Sequence, residues 1–161
     1  MSIPGVKQRA AEVMIAEIGV DMSAVATPKH LASWAGVSPG NDRSAGKRRS
    51  GKTGKGDKWL RANLAECANA AARTKDSYLA AQYQRLRGRR GHSKAITAVG
   101  HSILTAAWHM LQTGELYRDL GGEYFIRQNP DRLTKRLVRQ LQAHRHHVIG
   151  HDLDQPPGLA A

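Results

Sequence analysis

The stretch from Lys94 to Leu111 constrains the fold more than any other part of this chain. Ile96, Val99, Ile103, Leu104, Ala107, Trp108 and Leu111 would spread around most of the circumference of one helix. A helix that is apolar on nearly all sides has to be central, so other helices must surround it. Their signals are legible. Residues 8–18 read as a short amphipathic helix entered from Ile3-Pro-Gly-Val and stopped at Gly19. Thr27 is an N-cap with Pro28 at the first helical position, and Leu31, Trp34 and Ala35 give an apolar face before Gly36. Asp57 caps a long helix to about Arg73, with Leu60, Leu64, Cys67 and Ala71 at helical spacing. A further helix from about Asp76 to Leu86 is expected to run into a basic turn, Arg87-Gly-Arg-Arg-Gly91, after which Ser93 caps the central helix.

Beyond Gly114 the chain is polar, with Gly121-Gly122 and Asn129-Pro130 as breaks. A last helix is expected from about Asp131 to Ala143, carrying Leu133, Leu137, Val138 and Leu141. No repeat and no alternating pattern is long enough for a sheet; at most Glu123-Tyr-Phe-Ile126 reads as extended. The expectation is an all-α fold: a helical domain over residues 1–113, a helical extension over 114–143 and a disordered tail over 144–161. A content of 40% hydrophobic residues with only eight aromatics implies a core of Ala, Leu, Ile and Val. The single Cys67 cannot form an intrachain disulfide, and its Ala-rich setting reads as packing.

The segment from Gly36 to Arg61 interrupts this helical pattern. Between Arg43 and Arg61 there are eight Lys or Arg residues against the single Asp57, and glycines at 46, 51, 54 and 56 keep the segment from closing into a helix. Such a loop suits phosphates, and the net charge of +12 makes nucleic acid the expected partner. Anionic membrane is the weaker alternative. No run of apolar residues is long enough to span a bilayer and Met1-Ser-Ile-Pro-Gly has no signal-peptide character, so a cytoplasmic location is expected.

Each motif also has a bland reading. Ile3-Pro-Gly-Val before an Ala-rich helix looks like the turn of a helix-hairpin-helix element, in which Gly5 and Lys7 would meet a phosphate, but a plain helix start accounts for it as well. Charge runs commonly end as solvated turns, yet cations interleaved with glycines around Ser44 and Ser50 are unusual for solubility alone. Composition does not make either serine a nucleophile, because a hydroxyl is inert until a base, a metal or cationic neighbours activate it. His144-Arg-His-His147 with His151 lies at a polar, Pro-containing end and reads as a basic tail; Asp42, Asp57, Glu66 and Asp76 are scattered and form no evident two-metal set.

Several blocks taken together are similar to a known family. They are Ile3-Pro-Gly-Val with Ala16-Glu-Ile-Gly19; Leu31-Ala-Ser-Trp-Ala-Gly-Val-Ser-Pro39; Ser44-Ala-Gly-Lys with Gly54-Lys-Gly-Asp-Lys-Trp-Leu-Arg61; Lys94-Ala-Ile-Thr-Ala-Val; and Gly121-Gly-Glu-Tyr-Phe125 with Arg136-Leu-Val-Arg-Gln-Leu141. In order and spacing the chain resembles the C-terminal transposase domain of the IS one-ten, IS one-sixteen and IS nine-oh-two insertion-sequence family, the bridge-RNA-guided serine recombinases. The resemblance implies a two-part enzyme: an N-terminal RuvC-like domain whose DEDD acidic set binds Mg²⁺, and this helical domain, which supplies a serine that joins covalently to DNA.

The family's serine falls on Ser44. Ala45 stands where glycine is usual, Gly54 where a serine is usual, and the loop is one residue shorter. The resemblance further implies DNA and a guide (bridge) RNA as partners, a homo-oligomer in the full-length family, no membrane, and no cofactor in this chain itself. Arg43, Lys47, Arg48, Arg49, Lys52, Lys55, Lys58 and Arg61 are the expected phosphate or RNA contacts, with Gly5 and Lys7 at the N-terminal turn. Because the chain starts at the Pro-Gly turn, the acidic domain is expected to be missing, so that this piece alone binds without cutting. It would then be a decayed remnant, half of a frameshifted gene or a fragment acting in trans. A noncatalytic nucleic-acid clamp and a helical protein-interaction fragment are the rival readings.

Overall fold

The computed structural model describes residues 2–38, 43, 44, 46–48, 55–144 and 146. Among them the fold is all-α apart from one minimal β-ladder. The helices are α1 (Gln8–Ile18), α2 (Pro28–Trp34), α3 (Lys58–Ala71), α4 (Tyr78–Arg90), α5 (His92–Thr113), α6 (Tyr124–Arg127) and α7 (Pro130–Ala143), with a 3-10 turn at Met22–Ala24. The chain divides into two units, Met1–Phe125 and Ile126–Ala161.

In the first unit α5 is the hub, packed against α2, α3 and α4, while α1 packs on α3. Its buried face is Ala95, Ile96, Val99, Gly100, Ile103 and Leu104. Those side chains meet Leu31 of α2, Leu60 and Leu64 of α3 and Leu79 of α4 in one cluster. Each buried Leu or Ile contributes on the order of 2 kcal/mol. The small residues Ala68, Ala71 and Ala95, all fully buried, let the helix backbones come close. Cys67 belongs to this core; burial, with some help from the Glu66 carboxylate, pushes its thiol up to about 11, so it packs as a small hydrophobe and carries little thiolate near neutrality.

Local chemistry sets the helix ends. Thr27 Oγ1 accepts from His30 N–H at 3.2 Å, and Asp57 Oδ1 accepts from Leu60 N–H at 2.6 Å. Three expectations need correction. Helix α4 begins from the Ser77 cap and continues through Arg87-Gly-Arg-Arg90, so the second basic segment is the helix's last turn. The basic side chains there complement the negative end of the helix dipole, offsetting the roughly 1 kcal/mol cost of Gly88 inside a helix. Ser93 does not cap α5, which starts one residue earlier, directly after Gly91 and without a side-chain cap. Glu123–Ile126 is not extended: Tyr124–Arg127 is helical, with Tyr124 and Phe125 both against Tyr78 and the Arg85 guanidinium over the Phe125 ring at 4.7 Å.

The segment after Gly114 returns across the first unit. Tyr117 N–H donates to Ser2 Oγ at 3.0 Å, Asp119 Oδ1 accepts from Tyr78 N–H at 2.9 Å, and Gly122 N–H donates to the Asp76 carbonyl at 2.9 Å. In the second unit, α7 carries Asp131 in its first turn, the favourable sign for a helix N-terminus. The tail from residue 147 lies outside the described residues.

Candidate nucleic-acid interface

The basic segment is held at both stems. On the first, α2 gives way to Ala35 and Gly36, after which Val37 N–H and Ser38 N–H both donate to the Ala32 carbonyl, at 3.0 and 3.1 Å. On the second, Gly56 lies so close beneath the Ala35 carbonyl group and Gly36 N that a Cβ there would overlap all three atoms. The two stems therefore touch backbone to backbone at the one residue type that permits it.

Between the stems, β1 (Arg43–Ser44) pairs antiparallel with β2 (Lys47–Arg48), opposing Arg43 to Arg48 and Ser44 to Lys47. Gly46, in open space with φ of +76°, lies in the turn that joins them. Arg49 and Lys52, like Ala45 and Gly54, lie outside the described residues. Lys55 is exposed, and Lys58 and Arg61 follow on the first turn of α3.

Lys58 and Arg61 line a groove of about 310 Å³ between α3 and α5, together with Val37, Ile96, Thr97 and Gly100. Its floor is apolar and its cations stand at the end nearest the loop stems. The Lys58 ammonium also lies over the ring of Trp59, 5.1 Å from its centroid. Trp59 itself is 63% exposed, and sequence reasoning passed over it as a site residue.

The N-terminal turn is elsewhere. Ile3–Val6 closes through Val6 N–H to the Ile3 carbonyl at 3.1 Å, with Gly5 at φ +81°. A Cβ on Gly5 would lie 2.5 Å from Ala71 N and Cys67 O, so this glycine seats the turn on the C-terminal end of α3. Lys58 begins the same helix thirteen residues earlier, about 20 Å away at 1.5 Å per residue. Lys7 is exposed and precedes α1. The turn and the basic loop thus occupy opposite ends of α3.

Gly5→Ala should therefore lower stability by about 2–4 kcal/mol, through the positive φ and the backbone overlap together. Urea denaturation reads that loss, while nucleic-acid affinity of the folded variant should stay within about twofold. A variant that folds normally yet binds weakly would instead make the turn a phosphate contact.

Among the described residues, no three His, Cys, Asp or Glu side chains converge as metal donors. Nor is any helix among them long and apolar enough to cross a membrane. The sequence profile of the transposase IS116/IS110/IS902 family matches residues 1–84, more than half of the 161-residue chain. The chain belongs to that transposase family. The matched span runs from the N-terminal turn through the loop, α3 and the first half of α4, so it includes both stems and the β1–β2 hairpin. No curated protein and no solved structure matches the chain.

Proposed function

We propose that this transposase-family chain binds DNA through its basic loop and supplies Ser44 as the nucleophile for strand exchange at a composite site. The observation that best supports this is the hairpin register: Ser44 lies opposite Lys47 in a ladder of cationic residues whose stems are clamped at Gly56. Attack by the Ser44 hydroxyl oxygen on a DNA phosphorus would form a serine–phosphate ester and release the deoxyribose hydroxyl of the cut strand. Attack by a hydroxyl of a second strand on that ester would restore the serine and join the new strand. One phosphoester bond forms as another breaks at each step, so no external energy source is needed.

The loop's cations neutralise the charge that builds up on phosphorus. Activation of the hydroxyl is assigned to the acidic RuvC-like partner domain that the family resemblance implies, and the guide RNA is read as a second polyanion for the same cationic surface.

The binding half of this reading is tested by salt. Log affinity for duplex DNA should fall linearly with log salt, and reversing Arg48, Arg49 and Lys52 together should reduce the slope by roughly three contacts at about 0.9 each. Reversing Arg145 and replacing His146 and His147 with Glu should leave it almost untouched. Equal effects at both places would spread binding over the whole surface and remove the loop's special role.

A further inference from the structure

Tryptophan is seldom left in water, yet of the three in this chain only one is used in the ordinary way. Trp108 lies against the core and its indole N–H donates to the Val25 carbonyl at 3.0 Å. Trp34 and Trp59 are 51% and 63% exposed. Both stand at the stems of the basic loop: Trp34 immediately precedes Ala35, Trp59 follows Gly56 by three residues, and Gly56 lies against Ala35 and Gly36. Two large flat apolar surfaces are therefore presented at the stems, one of them with the Lys58 ammonium against it.

Duplex DNA offers such surfaces little, because its base faces are covered by neighbouring bases and only edges and phosphates are accessible. An unpaired base has a free π-face that stacks on an indole, and its phosphate then needs a cation nearby. The Lys58 ammonium lies over one face of the Trp59 ring, 5.1 Å from its centroid, so a base stacked on the other face would have a cation close to its phosphate. We infer that Trp34 and Trp59 form a base-stacking platform, so that the interface takes a nucleic acid with unstacked bases, a single strand or an opened duplex, in preference to intact B-form DNA. This rests on the nucleic-acid reading of the loop and specifies which form of the polymer it receives. Stacking is indifferent to the sugar, so single-stranded DNA and RNA share the chemistry.

The test uses the full chain at one fixed salt concentration with three labelled probes: oligo-dT, oligo-rU of the same length and a blunt duplex. Trp59→Ala and Trp34→Ala should each weaken binding to at least one of the single strands by about 5- to 150-fold, the range for one stacked base. Duplex binding should stay within about twofold, the salt slope should not change, and Trp59→Phe should recover most of the loss. A loss confined to oligo-dT identifies DNA as the stacked partner, a loss confined to oligo-rU identifies RNA, and either supports the platform. Unchanged affinity for both single strands, or an equal loss on the duplex, overturns it while leaving the loop reading intact. A wild-type chain that binds none of the probes overturns both.

The exposure of the two rings makes folding of the variants the expected outcome. Wild-type tryptophan fluorescence gives a readout that needs no variant: it should be quenched on adding oligo-dT or oligo-rU and much less by a saturating amount of duplex. Equal quenching by all three would overturn the inference.

Discussion

Ser44→Ala should abolish every covalent protein–DNA adduct while leaving nucleic-acid affinity within about twofold. The assay combines the chain with a RuvC-like partner domain, guide RNA and labelled DNA, and looks for a denaturant-resistant protein–DNA species on a gel. Removal of one uncharged hydroxyl takes no cation from the loop, so binding through counterion release should persist. The ester itself cannot form without the oxygen, which makes the expected effect all-or-none and not a graded loss of rate. An adduct that persists in the variant would remove Ser44 from the mechanism. A wild-type chain that binds but never forms an adduct would favour the noncatalytic clamp.

Gly56→Ala is expected to damage both the fold and the interface. The new methyl would overlap the Ala35 carbonyl carbon and oxygen and the Gly36 nitrogen, all backbone atoms with no rotamer to move aside. Relief requires the stems to part, at a cost of about 2–4 kcal/mol read from urea denaturation. Parting them displaces Lys58 and Arg61 from Val37 across the groove they line, so affinity for nucleic acid should fall well beyond the twofold tolerance expected of Gly5→Ala. The two glycines sit at opposite ends of α3, and the contrast between their alanine variants separates a general loss of stability from a local loss of the interface. Normal stability for Gly56→Ala would mean that the stems are not clamped as described.

What could be read from the residues was set by how local the determinant is. The Thr27 and Asp57 caps reach only three residues along the chain, and the apolar spacing of α5 is a property of one helix, so both were legible. The passage of α4 through Gly88 was not, because it depends on packing along α5 that outweighs the glycine's weak propensity. Nor was the seat of Gly5: its reason lies at Cys67 and Ala71, far along the sequence, and a glycine that admits a helix backbone looks the same in a sequence as one that admits a phosphate. The two exposed tryptophans were hidden for a related cause. Trp34 occupies an apolar position on a short amphipathic helix, and only the fold reveals that its ring is left in solvent.

The seat of Gly5 on α3 has a kinetic consequence. The α4–α5 pair is joined at Gly91 and closes a short loop, whereas the N-terminal turn reaches Ala71, and Ser2 reaches Tyr117 across 115 residues. Short closures lose less chain entropy and come first; the turn docks on a surface the helices have already made. Contacts formed after the rate-limiting step govern how long the native state lasts and not how fast it is reached. Gly5→Ala should therefore speed unfolding more than it slows refolding, which the two arms of a denaturant chevron would read.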